Sequence, residues 1–289
     1  MVNWSKIKII IFAAFLLINA FLIGTYIIHS KTSRALRAEV LAECGEILKS
    51  KNITVTADEF PIIPSHLPLY MSQNALDTKE TIASHLLGSD NFMVEPNRFQ
   101  NGDKELTVNG GHFSFYLTKI DQENLKLLGK PQAFWAKAGA KKAIKSANLW
   151  TGKTKTIKVQ PDNSSNQTIV KLSDKIEGYP VVDSLLIVWC GTDETKDIAD
   201  KTVITRIDGY NWLNTTYKKI PGISAGLKSI TEILKDFAAT HDASEVLVIN
   251  NIEFGYIVGE RAGDIIEKQV DIGIKITYDG GAFCISAIK

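Results

Sequence analysis

An uncharged, strongly apolar run near the N-terminus, Ile9–Ile28, constrains this chain more than any other feature. As a helix rising about 1.5 Å per residue, such a run spans about 30 Å, the thickness of a bilayer's hydrocarbon core. A helix also satisfies its own backbone hydrogen bonds, which lipid requires. The run is longer than the apolar part of a cleaved signal peptide, and no small-residue cleavage pattern follows it. The sequence therefore predicts an uncleaved transmembrane helix at residues 9–28, preceded by a short tail at residues 1–8.

Basic residues flank this run on both sides, with Lys6 and Lys8 before it and Lys31, Arg34 and Arg37 after it. The two counts nearly balance, so the positive-inside rule alone does not orient the helix. A folded body outside the cytoplasm would explain why the protein needs an anchor. We therefore expect a cytoplasmic tail, a single span of the cell membrane and an extracytoplasmic body.

Asn19 is the polar side chain that lies deepest in the apolar run. A side-chain amide in lipid can hydrogen-bond to a partner helix, which contributes about 1 kcal/mol. It can equally be a tolerated polar residue without a partner. Asn19 is therefore a candidate contact to a membrane partner, with both interpretations open.

The rest of the chain alternates between helical and strand-like patterns. Residues 29–51 keep a helical apolar stripe and predict a stalk that continues the membrane helix. Residues 52–289 predict a body with candidate subunits at 52–125, 131–212 and 222–289. Helices are expected from Asp77, over Pro131–Ala147 and over Ala225–Ala239, each followed by strands.

Strand patterning is clearest near the C-terminus, where apolar residues alternate from Val270 to Tyr278, as in a sheet with one wet face. Helices followed by antiparallel strands indicate an α+β fold, with helices packed on the sheets. The recurring order also suggests weak helix-plus-sheet repeats that resemble PepSY domains.

Composition excludes several classes of function. The chain has 33 basic and 32 acidic residues, so nucleic acid is not an expected partner. Its three cysteines, Cys44, Cys190 and Cys284, form no closely spaced ligand motif, so neither a metal site nor a cofactor is expected. Cys190 and Cys284 lie in apolar runs, which predicts buried thiols. A disulfide between them is the alternative, since an extracytoplasmic location would permit one.

Two short motifs suggest catalysis, and neither has the required context. Gly222-Ile-Ser-Ala-Gly226 matches the nucleophile elbow, but Pro221 and Gly222 stand where a buried strand should lead in. Ser224 is therefore predicted to cap a helix. Gly152-Lys-Thr resembles the end of a phosphate-binding loop, but Ala147 stands where that loop needs glycine. The sequence predicts a protein that binds and does not catalyse.

Four segments carry a resemblance to a known family. They are Val2-Asn-Trp-Ser-Lys6 leading into the Asn-bearing apolar run, Val108–Phe115, Glu177–Leu185, and Gly255-Tyr256 before a final hairpin. Together they resemble YycI-type regulatory proteins of the YycH/YycI family. These are membrane-anchored accessory proteins of the WalK–WalR (also called YycG–YycF) two-component system of Gram-positive bacteria.

The resemblance implies a function as well as a fold. It implies an anchored accessory regulator that contacts a sensor histidine kinase and a YycH-like partner, partly through transmembrane helices, and thereby tunes cell-wall metabolism. The alternative is an anchored extracytoplasmic binding module for a peptide or a cell-wall ligand.

Overall fold

The computed structural model describes residues 4–74, 79–109, 112–118, 129–150, 153–192, 202–212, 215–259 and 267–289. The chain forms two compact units. Unit 1 comprises Met1–Ser65, Leu227–Glu253 and Lys275–Ala287, and unit 2 comprises His66–Gly226, Phe254–Ile274 and Ile288–Lys289. Both units are discontinuous in sequence, whereas the subunits suggested by the sequence are consecutive stretches.

Unit 1 is organised around a single long helix, α1, which runs from Trp4 to Ser50. The second half of this helix packs into the unit and buries one of its faces there. Arg37 Nε donates a hydrogen bond of 2.6 Å to the Ala57 carbonyl. The buried residues of this face are Ser33, Val40, Cys44 and Leu48. The residues expected to form a stalk therefore contribute to the core of unit 1.

The other elements of unit 1 complete this core. Strand β1, Ile53–Val55, pairs in parallel with the Leu247–Ile249 part of β13, Leu247–Ile257. Helix α4, Ile230–Thr240, packs against α1, and the Lys235 ammonium lies 2.8 Å from the Glu43 carboxylate. Strand β15, Gly281–Ser286, pairs with β14, Glu267–Tyr278.

Helix α4 begins later than the sequence suggested, and Ser224 does not cap it. The helix starts at Ile230 because Ser229 supplies a capping box: its hydroxyl accepts from the Glu232 amide, and the Glu232 carboxylate accepts from the Ser229 amide. Ser224 lies instead within β12, Thr215–Gly226. The apolar residues Ile233, Leu234 and Phe237 form the buried face of this helix.

This cap provides a test of the local fold. We expect Ser229→Ala to lower the free energy of unfolding of unit 1 by about 1 kcal/mol, because the Glu232 amide at the helix start loses the hydroxyl that accepts its hydrogen bond. Ser229→Asp retains a side-chain acceptor and should change the free energy of unfolding by only about 0.3 kcal/mol. Denaturant titration with circular dichroism would measure both, and equal losses in the two variants would show that the cap does not define this helix start.

Unit 2 contains a nine-stranded sheet with the order β3-β4-β5-β6-β11-β10-β8-β7, and β9 pairs with β8. Every adjacent pair with a described register is antiparallel. The strands are β3 Phe92–Glu95, β4 Arg98–Asn101, β5 Lys104–Asn109, β6 His112–Leu117, β7 Thr154–Asp162, β8 Gln167–Ile176, β9 Tyr179–Pro180, β10 Leu185–Thr192 and β11 Thr202–Tyr210.

Two helices cover one face of this sheet. Helix α2, Lys79–Leu87, contributes Ile82 and Leu87 to the core, and helix α3, Ala133–Ser146, contributes a stripe of Ala136, Ala140 and Ile144. The sheet contributes the side chains of alternate strand residues. The predicted start of the first helix, Asp77, lies outside the described residues. Large core residues from the rest of the unit are Leu106, Phe113, Phe115, Leu172, Leu186 and Trp212.

Unit 2 contains a further group of paired strands. Strand β2, His66–Asn74, pairs with β12 and with residues Glu267–Val270 of β14. No strand is expected from the sequence over the residues of β12. Both strands contain a proline, and the ladder between them shifts register between Lys219 and Ser224, which accommodates Pro221 and Gly222 as an irregularity within the strand.

The predicted α+β class, with antiparallel sheets and packed helices, is confirmed. Within the part of the chain that the structure describes, no helix is both long enough and apolar enough to cross a membrane, so the predicted span gains no support from the fold.

Candidate binding sites

The first half of α1 exposes an apolar surface. Asn19 lies on this part of the helix, and its Nδ2 donates a hydrogen bond of 2.8 Å to the Phe15 carbonyl. Thr25 Oγ1 donates in the same way to the Leu22 carbonyl, at 2.9 Å. Each of these two polar side chains therefore donates a hydrogen bond to a backbone carbonyl of its own helix. The exposed apolar side chains are Ile11, Phe12, Phe15, Leu16, Leu17, Ile18, Phe21, Leu22 and Ile23.

The face of the nine-stranded sheet opposite the helices carries a cluster of charged and polar groups around Glu105. Its side chain is 4% exposed, and the Arg98 guanidinium binds both carboxylate oxygens, with Nε at 2.6 Å and Nη2 at 2.9 Å. Gln100 Nε2 donates to the same carboxylate at 2.9 Å, and the Tyr116 hydroxyl also donates to it. The pKa of Glu105 is lowered to about 2, chiefly by the hydrogen bonds from Arg98, although burial acts in the opposite direction and raises it. Burial first, and then Glu105, raises the pKa of Tyr116.

The strand register explains why these residues meet. Glu105 pairs with Tyr116 across β5 and β6, Tyr116 pairs with Arg206 across β6 and β11, and Arg206 pairs with Trp189 across β11 and β10. Directly opposed residues on one face of a sheet lie about 5 Å apart. One transverse row of the sheet therefore carries a carboxylate, a phenol, a guanidinium and an indole in sequence.

Arg206 is the most accessible charged group of this row. Its side chain is 52% exposed, while that of its ion-pair partner Asp208 is only 5% exposed. Arg206 Nε and Nη2 bind the two Asp208 oxygens at 3.0 and 2.6 Å, and Ser114 Oγ donates to Asp208 at 2.6 Å. The guanidinium carbon lies 4.7 Å from the centre of the Trp189 ring, a stacked cation–π geometry.

A cleft of about 450 Å³ opens over this row and is lined by Ser114, Tyr116, Asp162, Gln167, Trp189 and Arg206, among others. Its size falls within the range of small-molecule sites. Asp208 neutralises the Arg206 charge, and Nη1 is the guanidinium nitrogen that this ion pair leaves for a ligand. The cleft therefore suits an uncharged ligand that offers hydroxyl or carbonyl oxygens. The Ser114 hydroxyl donates to the Asp208 carboxylate that Arg206 also binds, and this arrangement fixes the orientation of the three polar groups.

The cysteines named in the sequence analysis occupy different environments. All three are thiols. Cys190 is buried, as predicted, and its Sγ donates to the Ala136 carbonyl at 3.6 Å. Burial raises the pKa of Cys190 to about 12, so the thiol remains protonated and inert. Cys284 was expected to be buried and is exposed, because it lies on β15, where nearly every residue faces solvent.

The remaining candidates are placed without a reactive context. Ser224 is exposed in β12 opposite Pro68, so the strand–turn–helix geometry of a nucleophile elbow is not formed there. Among the described residues, no group of three or more His, Cys, Asp and Glu side chains could hold a metal ion.

Two of the segments that carry the family resemblance meet in unit 2, and their contacts are structural. The Asp183 carboxylate accepts hydrogen bonds from the Val258 and Gly259 amides, at 2.9 and 2.6 Å. Tyr256 is fully buried, and its hydroxyl donates to the Pro68 carbonyl at 3.0 Å. Gly255 has no space for a side chain, since a Cβ atom would lie 2.1 Å from the Pro180 carbonyl oxygen.

Sequence reasoning did not find the row on the sheet face. Glu105, Tyr116, Trp189 and Arg206 come from four strands, and only the register brings them together. The one local signal for this row is that Trp189 and Arg206, two large side chains that can donate hydrogen bonds, stand at outward-facing positions of their strands. Comparison with models of known protein families and with curated protein sequences finds no match for this chain.

Proposed function

We propose that the protein is a membrane-anchored accessory regulator of a sensor histidine kinase, and that it acts through protein contacts and not through catalysis. One observation carries the proposal. The same helix, α1, exposes apolar side chains over residues 11–23 and buries Val40, Cys44 and Leu48 in the core of unit 1. The helix therefore joins a folded unit directly, without a linker, to an apolar surface. Lipid or another apolar helix would cover such a surface.

This continuity gives the regulator a mechanism. An α-helix is stiff, so a displacement of unit 1 moves the apolar part of α1 with it. In the proposed arrangement residues 9–28 cross the cell membrane, residues 1–8 lie in the cytoplasm and the body lies outside. A kinase whose transmembrane helices contact α1 would then be biased between two states by events in the body.

The family resemblance supplies the proposed partners. It implies a WalK-type sensor kinase and a YycH-like anchored protein, and control of cell-wall metabolism. Asn19 is the proposed contact to a partner helix. Its Nδ2 donates a hydrogen bond to the Phe15 carbonyl, and its Oδ1 is an acceptor that a partner helix in lipid can use.

The test is crosslinking and affinity purification of the full-length chain from its native membrane. A matched variant replaces residues 9–28 by an unrelated apolar sequence of equal length, and a second carries Asn19→Leu. We expect the native chain to recover a histidine kinase and a second anchored protein, the replacement to lose both, and Asn19→Leu to reduce recovery several-fold. Equal recovery with the replaced helix would reduce α1 to a tether, and recovery of neither protein by the native chain would refute the proposal.

A second candidate function is an anchored binding module for a peptide or a cell-wall ligand, similar to PepSY-like ligand-binding domains. The cleft over Trp189 and Arg206 favours it, since a half-exposed guanidinium held by a buried carboxylate is a fixed hydrogen-bond donor for such ligands. The same purification separates the two functions. A co-purifying peptide or glycan that survives replacement of residues 9–28 and is lost in Arg206→Ala would identify the module.

A further inference from the structure

Helix α3 presents an exposed face with an unusual composition. Successive residues of a helix are separated by about 100° around its axis. Ala136, Ala140 and Ile144 point into the core of unit 2, and the opposite side of the helix carries Trp135, Lys142 and Lys145. The exposed Phe134 and Lys141 flank this side, whereas Lys137 lies farther round the helix, next to the buried Ile144.

The face combines aromatic rings with positive charge. Phe134 is 71% exposed and Trp135 is 39% exposed, and their ring centres lie 5.1 Å apart in an edge-to-face pair. No acidic residue occurs anywhere in α3. The ammonium groups of Lys141 and Lys145 lie 5.3 and 5.7 Å from the centre of the Trp150 ring, a contact that leaves their charge in place.

We propose that this face of α3 docks unit 2 onto an anionic lipid surface. Helices that lie in a membrane interface place lysines toward the headgroups and aromatic rings at the boundary with the acyl chains. Tryptophan in particular prefers that depth. A soluble polyanion could bind the lysines, but it offers no apolar phase for Phe134 and Trp135. An anionic bilayer satisfies both halves of the surface, so lipid is the partner that the composition fits.

The inference goes beyond the proposed function and has a different chemical requirement. Anchoring through α1 requires only hydrocarbon and proceeds in neutral lipid. Docking through α3 requires negatively charged headgroups and weakens as salt screens the attraction. The two can therefore succeed or fail independently.

The test places an environment-sensitive nitrobenzoxadiazole label at Ala138→Cys, in the centre of the face. The background carries Cys284→Ser, because Cys284 is exposed while Cys44 and Cys190 are buried. The full-length chain is reconstituted in nanodiscs of phosphatidylcholine alone, or of phosphatidylcholine with phosphatidylglycerol. The same label at Lys155→Cys, an exposed position of β7, reports on an unrelated surface of unit 2.

We expect a blue shift of the Ala138 label on anionic discs only, reversed by high salt, and no shift of the Lys155 label. Neutralising the face with Lys141→Gln, Lys142→Gln and Lys145→Gln should weaken docking about 100-fold, since each lysine near an anionic surface strengthens binding about fivefold. A charge-matched control, Lys155→Gln, Lys158→Gln and Lys175→Gln, should dock normally. Phe134→Ser with Trp135→Ser should keep salt-dependent attraction but lose the blue shift.

Three results would overturn the proposal: no shift on anionic discs, an equal shift on neutral discs, or an equal shift with soluble polyphosphate in place of lipid. The last would assign the face to polyanions. Failure of the chain to co-migrate with neutral discs would instead count against anchoring by α1, and binding of the same chain to anionic vesicles would still report on α3.

Discussion

We expect Gly255→Ala to lower the free energy of unfolding of unit 2 by about 3 kcal/mol, near the upper end of the cost of overpacking a core. The added Cβ atom would lie 2.1 Å from the Pro180 carbonyl oxygen and 3.0 Å from a Val182 methyl group. A backbone carbonyl cannot rotate away as a side chain can. The chain that follows this carbonyl is also held in place, because the Val182 amide donates to the Tyr256 carbonyl at 2.9 Å and the Asp183 carboxylate accepts from two amides.

Two further glycines of unit 2 provide graded controls. A Cβ atom at Gly209 would lie 2.2 Å from the Phe113 ring, which can tilt, so Gly209→Ala should cost less than Gly255→Ala. At Gly226 the nearest atom, in the His66 ring, is 3.8 Å away, and Gly226→Ala should be within about 0.5 kcal/mol of the native chain. Four of the five tryptophans, Trp135, Trp150, Trp189 and Trp212, belong to unit 2, so most of the change in tryptophan fluorescence during urea titration reports the unfolding of that unit. Equal stability of the three variants would show that Gly255 is not a point of close approach.

The contact at Gly255 illustrates what the sequence could not predict. The segments around Gly255 and Pro180 were recognised separately, by resemblance, but nothing local in either indicates that they touch. A glycine in a strand signals a bulge, a bend or a close approach of another backbone without distinguishing among them. The structure selects the close approach, and the contacts between the segments Glu177–Leu185 and Gly255-Tyr256 are packing contacts.

Periodicity predicted the elements in which one physical signal dominates. The alternation from Val270 to Tyr278 is a strand, and Val270, Ile272, Ile274 and Ile276 are all fully buried. The sequence failed where two signals conflict. Pro221 and Gly222 indicate a loop, yet they lie inside β12, where Gly222 adopts φ +71 and the register shifts. The flanking strand β2 tolerates Pro68 because the described pairing with β14 covers only Tyr70–Gln73.

The polar row on the sheet face could not be predicted from the sequence for a different reason. Its members are ordinary residues of ordinary strands, and their chemistry arises only from register. A shift of one residue in β5 would send Glu105 to the helix-covered face, and the same shift in β11 would send Arg206 there, where an unpaired charge is very costly. The row is therefore a product of the whole sheet, and its stability can be tested through Glu105.

We expect Glu105→Gln to lower the free energy of unfolding of unit 2 by about 2 kcal/mol at neutral pH. The carboxylate is nearly inaccessible and accepts hydrogen bonds from Arg98, Gln100 and Tyr116, and breaking a buried ion pair leaves the remaining groups poorly satisfied. The expected loss stays below the full cost of a buried pair because the Arg98 side chain is 37% exposed and regains water. Glu95→Gln is the matched control. Glu95 pairs with the same arginine at 3.6 Å but is 63% exposed, so its loss should change stability by less than about 0.5 kcal/mol.

The dependence on pH distinguishes the charge of Glu105 from its shape. Its pKa in the folded protein is about 2, lowered from 4.5, so folding favours the ionised form. The stabilisation is therefore complete above the unfolded pKa, declines as the pH falls below it and is exhausted near pH 2. The difference in unfolding free energy between the native chain and Glu105→Gln should accordingly shrink as urea titrations move from pH 7 to pH 3, while the Glu95→Gln difference stays small throughout. A native-minus-variant difference that is independent of pH would mean that Glu105 stabilises the sheet by packing and hydrogen bonding alone. The ion pair with Arg98 would then contribute nothing to holding the polar row together.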